Sequence, residues 1–135
     1  MKRLSLIPLL ALAACAGGRS EPVSLVKRPL YQAVGGPPGW TLSVGRERIV
    51  LRLSPDPSEG PDAPAIVREY PSPRFGFGHG VKRWDAGSGT QAIAIEARRT
   101  PCRNGSVSFQ DEVRVRFGRR ELAGCGGRIR PGGRR

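Results

Sequence analysis

The side chains able to do chemistry in this 135-residue chain are few: one histidine, three cysteines and eleven acids. His79 would need a nucleophile beside it in a formed pocket to act as a general base. The nearest preceding serine is Ser72, and no strand-turn-helix serine motif occurs, so His79 reads as a structural or surface residue. Asp85, Glu96, Asp111 and Glu112 could supply a carboxylate pair, the chemistry of glycoside hydrolysis. Each stands among arginines, which points instead to ordinary surface ion pairs. Gly76, Gly78 and Gly80 alternate, but no helix follows them to bind phosphate with its N-terminus. Two thiols outside the N-terminal segment and one distant His are too few for a zinc site. These residues imply no catalytic constellation, no metal site and no cofactor.

The third cysteine, Cys15, follows a different pattern. Met1-Lys2-Arg3 is a short positive run, and Leu4 to Ala14 is almost wholly apolar. Eleven residues are too few for a membrane-spanning helix, which needs roughly 20, but they match the apolar region of a secretion signal. Leu12-Ala13-Ala14-Cys15 resembles the lipobox of bacterial lipoproteins. That resemblance implies a signal peptide over 1–14, with acyl chains on Cys15 holding the protein in a membrane. Ala16 after the cysteine is similar to the outer-membrane address of enteric lipoproteins. Two other readings stay open. Ala14-Cys15-Ala16 is also a small-x-small site, at which cleavage would release a soluble protein, and the apolar run could be fortuitous.

Without residues 1–14 the chain keeps 21 of its 23 basic residues against 11 acids, a net charge of +10. That field draws a protein toward anionic lipid, lipopolysaccharide or acidic polymers. Twenty of the 23 are Arg, the bias that a GC-rich genome also produces. Cys102 and Cys125 then form an even pair, and in an oxidising compartment that reads as a disulfide. The Gly/Arg-rich C-terminus has the composition of a nucleic-acid-binding segment, but export excludes nucleic acid as a partner.

The elements that must position these residues read as strands. Residues 15–30 carry Pro22 and Pro29 in a polar, irregular stretch, the reading of a tether. Gly35-Gly36-Pro37-Pro38-Gly39 is a turn, and Trp40 to Val44 alternates apolar and polar, with Trp40 a core residue. Ile49, Leu51 and Leu53 alternate again, giving a hairpin. Four prolines between Ser54 and Pro64 make a loop. Ile66 to Tyr70 is a short strand, and Phe75 to Asp85 an irregular strand or pair, with Trp84 either core or binding face. Gln91 to Arg98 and Val113 to Phe117 alternate clearly, Asn104-Gly105 is a turn, and Glu121 to Cys125 returns. No window has a helical period, and Gly and Pro together make 32 residues. The expectation is one all-β domain over 31–127, a small antiparallel barrel or sandwich with one disulfide, and a disordered Gly/Arg tail over 128–135, its composition setting in at Gly126.

Residues 31–127 also resemble a family of small proteobacterial lipoproteins and membrane-associated proteins. The likeness lies in Tyr31-Gln32-Ala33-Val34-Gly35-Gly36-Pro37-Pro38-Gly39-Trp40, in Pro101-Cys102-Arg103-Asn104-Gly105, and in Leu122-Ala123-Gly124-Cys125-Gly126-Gly127. Where that family commonly has Asp after the first cysteine, this chain has Arg103-Asn104. The resemblance implies a small β-barrel and is consistent with a Cys102–Cys125 pair; it implies no activity. The function expected is a lipid-anchored, non-catalytic binding or structural module on the periplasmic side of the envelope. Its partners would be anionic lipid, lipopolysaccharide or another envelope protein. The alternatives are a periplasmic inhibitor of a hydrolase such as lysozyme, although two basic proteins repel at long range, and a soluble secreted protein that binds anionic envelope polymers.

Overall fold

The computed structural model describes residues 26 and 28–131. The signal segment, Cys15 and most of the expected tether lie outside them. The described chain is all antiparallel β, with ten strands: β1 (Tyr31–Gly35), β2 (Trp40–Val44), β3 (Arg48–Leu53), β4 (Ile66–Pro71), β5 (Arg74–Gly78), β6 (Val81–Ala86), β7 (Ile93–Arg98), β8 (Cys102–Asn104), β9 (Val107–Phe117) and β10 (Arg120–Ile129). Single 3-10 turns at Pro57–Glu59 and Gly89–Gln91 interrupt two of the loops.

The strands form one sheet in the order β4-β3-β2-β1-β10-β9-β7-β6-β5, with β8 added to β9. Each half is a meander, as short alternating runs separated by turns dictate. The first and last strands, β1 and β10, pair at the centre, with Val34 opposite Cys125. β4 and β5 are the two ends of this order, yet only Ser72 and Pro73 separate them in the chain. Three peptide units reach at most about 11 Å. The sheet must therefore curl until its two edges nearly meet. They do not pair, so the expected antiparallel β-domain has an open seam between β4 and β5 instead of a closed barrel. Pro71 and Pro73 flank that seam and cannot donate ladder hydrogen bonds, and Ser72, at φ 55°, turns its amide to Glu47 O at 2.8 Å.

The concave face holds the core. Leu42 and Val44 of β2, Ile49 and Leu51 of β3, Ile93 and Ile95 of β7, and Val113 and Val115 of β9 are all at most 1% exposed. These are the inward members of the alternating runs. Trp40 and Trp84 are both core residues, so Trp84 belongs to the packing side of its two readings. Cys102 and Cys125 are joined, with Cα atoms 5.4 Å apart. The bond ties the short β8 to β10 on the convex side and buries Cys125 there.

The C-terminal boundary differs from the expectation. β10 runs to Ile129, so Arg128 and Ile129, expected in the tail, are strand, and the glycine-rich stretch from Gly126 is strand with them. Ile129 pairs with Phe109 and the Arg130 amide donates to Ser108 O at 2.7 Å, giving the glycine-rich stretch a ladder to complete. Composition missed this because β9 is eleven residues long and offers a partner that local propensity does not record. At the other end, the Leu30 amide donates to Val44 O at 2.7 Å, so the chain is held by the domain one residue before β1.

Candidate functional site

β9 carries a parity that the arginines around it conceal. Asp111 falls on the same side of the strand as Val113, Val115 and Phe117, and faces inward with them. It is 2% exposed, the one buried charged residue among those described. The expected surface ion pair at Asp111 is therefore corrected: this carboxylate is in the interior. Alternation is the signal that could have found it, because a residue two places before Val113 must share its face.

Three elements converge on Asp111. From β1, the Tyr31 hydroxyl donates to Oδ2 at 2.8 Å. From β6, Lys82 Nζ lies 3.9 Å from Oδ2 and 5.7 Å from the centroid of the Tyr31 ring. From the end of β7, Arg99 Nε lies 3.7 Å from Oδ1, outside hydrogen-bond distance. Oδ1 itself accepts no hydrogen bond from the described residues. Leaving a buried charged oxygen short of donors is costly, and such groups cluster where something else binds.

Glycines make the room. Gly126 of β10 is opposite Asp111. A Cβ there would sit 2.7 Å from the Tyr31 hydroxyl and 2.8 Å from Gln32 O. At Gly127, φ is 79° and a Cβ would meet Asp111 Oδ2 at 2.6 Å. The register shifts between Gly126 and Ile129, a bulge of the kind that re-aims side chains, and Arg128 within it comes to the site's lip. On the convex side the Cys102–Cys125 bond ties β10 to β8, which is itself paired with β9.

The result is an open cavity of about 570 Å³ between β1, β6, β9 and β10. Asp111 and Tyr31 form its floor, and Lys82, Arg99 and Arg128 its cationic lip, with Gln32 and Gln110 beside them. Three cations against one carboxylate give the cavity a net charge of +2. Burial and the adjoining carboxylate both push the Tyr31 hydroxyl far above the usual tyrosine range, so it stays a neutral donor.

The other candidates are placed elsewhere. Asp85 pairs with Arg74, and Glu96 with Arg83, both on exposed faces. Glu112 lies on the convex side opposite Arg98. His79 is exposed in the β5–β6 turn, at φ 54°, and the alternating glycines lie in that hairpin. Among the described residues no group of three His, Cys, Asp or Glu could hold a metal ion, and no helix is long and apolar enough to cross a membrane. No family model, curated protein or solved structure matches this chain.

Proposed function

We propose that this protein is a non-catalytic binding module of a bacterial cell envelope, held on the periplasmic side of the outer membrane by acyl chains on Cys15. Its cavity at Asp111 takes a small anionic group of an envelope component. The observation that carries the binding reading is the cavity itself: three cations, Lys82, Arg99 and Arg128, around a buried carboxylate held by Tyr31. Asp111 has one oxygen occupied by a hydroxyl and both oxygens facing cations, an arrangement that positions charge instead of relaying a proton. The anchor reading rests on the lipobox-like Leu12-Ala13-Ala14-Cys15, and the Cys102–Cys125 bond suits the oxidising compartment that export implies.

Two measurements test the two halves. Palmitate labelling of the cells should mark the wild-type protein and not Cys15→Ala; an unlabelled wild-type chain would overturn the anchor. Calorimetric titration with inorganic phosphate should show binding that weakens as salt rises and is lost in Lys82→Gln/Arg99→Gln. Binding unchanged in that double variant would overturn the cavity as the site.

A further inference from the structure

The open seam leaves a second feature without a use in the cavity. Phe75 and Phe77 on the edge strand β5 are 62% and 68% exposed, although both are large aromatic side chains. They share one face, because Phe75 is opposite Trp84 and Phe77 opposite Lys82 in the ladder with β6. That face is the concave one. Phe75 packs on Trp84 at 5.2 Å between ring centroids, and Trp84 on Tyr31 at 4.6 Å. An aromatic row thus runs from the floor of the cavity out to the seam, where no β4–β5 ladder forms and its last members stay exposed. On the other face of β5 are Gly76 and Gly78, with open space where a side chain would be.

We infer that Phe75 and Phe77 are an interfacial wedge, by which this domain lies against an anionic membrane surface with the Asp111 cavity facing the headgroups. Three observations select a membrane as the occupant. Aromatic side chains beside cations are the composition of a headgroup-level contact, and Lys82, opposite Phe77, leads directly to Arg99 and Arg128. The net charge of the chain without residues 1–14, +10, has the sign that anionic lipid attracts. The chain also enters the domain here: Pro29 and Leu30 line the same cavity, and Leu30 is itself 57% exposed. From Cys15 to Val26, the first described residue, is 11 residues; that length of chain reaches at most about 40 Å, so an anchor on Cys15 keeps the end of the domain where the chain enters toward the bilayer. The inference rests on the anchorage proposed above but not on what the cavity binds.

The test places the photocrosslinker p-benzoylphenylalanine at position 77 or, on the opposite sheet edge, at Ile66, which is 50% exposed. Both sites are exposed, so both variants of the full chain should fold and oxidise. After irradiation of envelope membranes, position 77 should yield adducts heavier by one phospholipid, several times more than position 66. In reconstituted vesicles the adduct should depend on phosphatidylglycerol and be absent in pure phosphatidylcholine. A chain in the soluble fraction would show that the anchor has failed. A membrane-bound chain with equal lipid adducts at 66 and 77, or none, would overturn the wedge alone. An adduct at 77 with another protein, or with a second copy of the chain, would show that the β5 edge instead receives a strand.

Discussion

Replacing Tyr31 by Phe tests the geometry of the cavity floor through two independent readouts. The ring packing on Trp84 at 4.6 Å survives, while the hydroxyl that donates to Asp111 at 2.8 Å is removed. Oδ1 already lacks a hydrogen bond, so the variant leaves the buried carboxylate with none from the described residues. A hydrogen bond to a charged group contributes about 1.5–3 kcal/mol, and the midpoint of thermal unfolding should drop by on the order of 10 °C. The second readout is pH. Up to about pH 10 the folded and unfolded chains both keep the phenol proton, and Tyr31 gives no pH dependence. Above that the unfolded chain releases it, while burial and Asp111 make the folded chain hold it. The native state then binds more protons, and its stability falls by about 1.4 kcal/mol per pH unit. Tyr31→Phe has no such slope at this position. The stability gap between the two proteins should therefore shrink from pH 10 upward. Tyr70, also raised by burial, is present in both and cancels. Urea unfolding between pH 7 and 11, with the disulfide intact, measures the gap. A gap at pH 7 under about 0.5 kcal/mol, the range of a surface substitution, would refute the hydrogen bond. A gap that stays constant through pH 11 would refute the burial of the hydroxyl.

Other substitutions probe the frame. Cys102→Ser/Cys125→Ser opens a bond between residues 23 apart and should lower stability by about 3 kcal/mol on the chain-entropy account, read as a shift in the urea midpoint that reducing the wild type reproduces. Gly126→Ala forces a methyl against the Tyr31 hydroxyl and the Gln32 carbonyl. It should cost about 1–3 kcal/mol and abolish the alkaline slope assigned to Tyr31, whereas Gly89→Ser, in open space though at φ 57°, should leave that slope intact. Asp111→Asn removes the one negative charge of the cavity, so phosphate should bind more tightly to it than to the wild type at low salt; weaker binding in a folded variant would show that positioning of the cations by the carboxylate outweighs its repulsion of the anion.

Much of this molecule follows from local pattern. Alternation in Trp40–Val44, Ile49–Leu53, Ile93–Arg98 and Val113–Phe117 dictates strands, because a period of two is the only way to put those side chains on one side. Glycines and prolines at the turns make them antiparallel, and two remaining cysteines make a disulfide. The proposal that Met1 to Cys15 are a lipoprotein signal rests on composition and the lipobox-like residues alone. None of this could bring Tyr31, Lys82, Arg99 and Asp111 together. They are up to 80 residues apart, and their meeting depends on β1 pairing with β10 and on the sheet curling until β6 faces β1. The open seam is likewise a tertiary outcome. Phe75 and Phe77 alternate as core residues do, and only the missing β4–β5 ladder decides that nothing in the described chain covers them. Sequence determines which face of a strand a side chain takes; what stands opposite that face is decided by pairing between strands far apart in the chain.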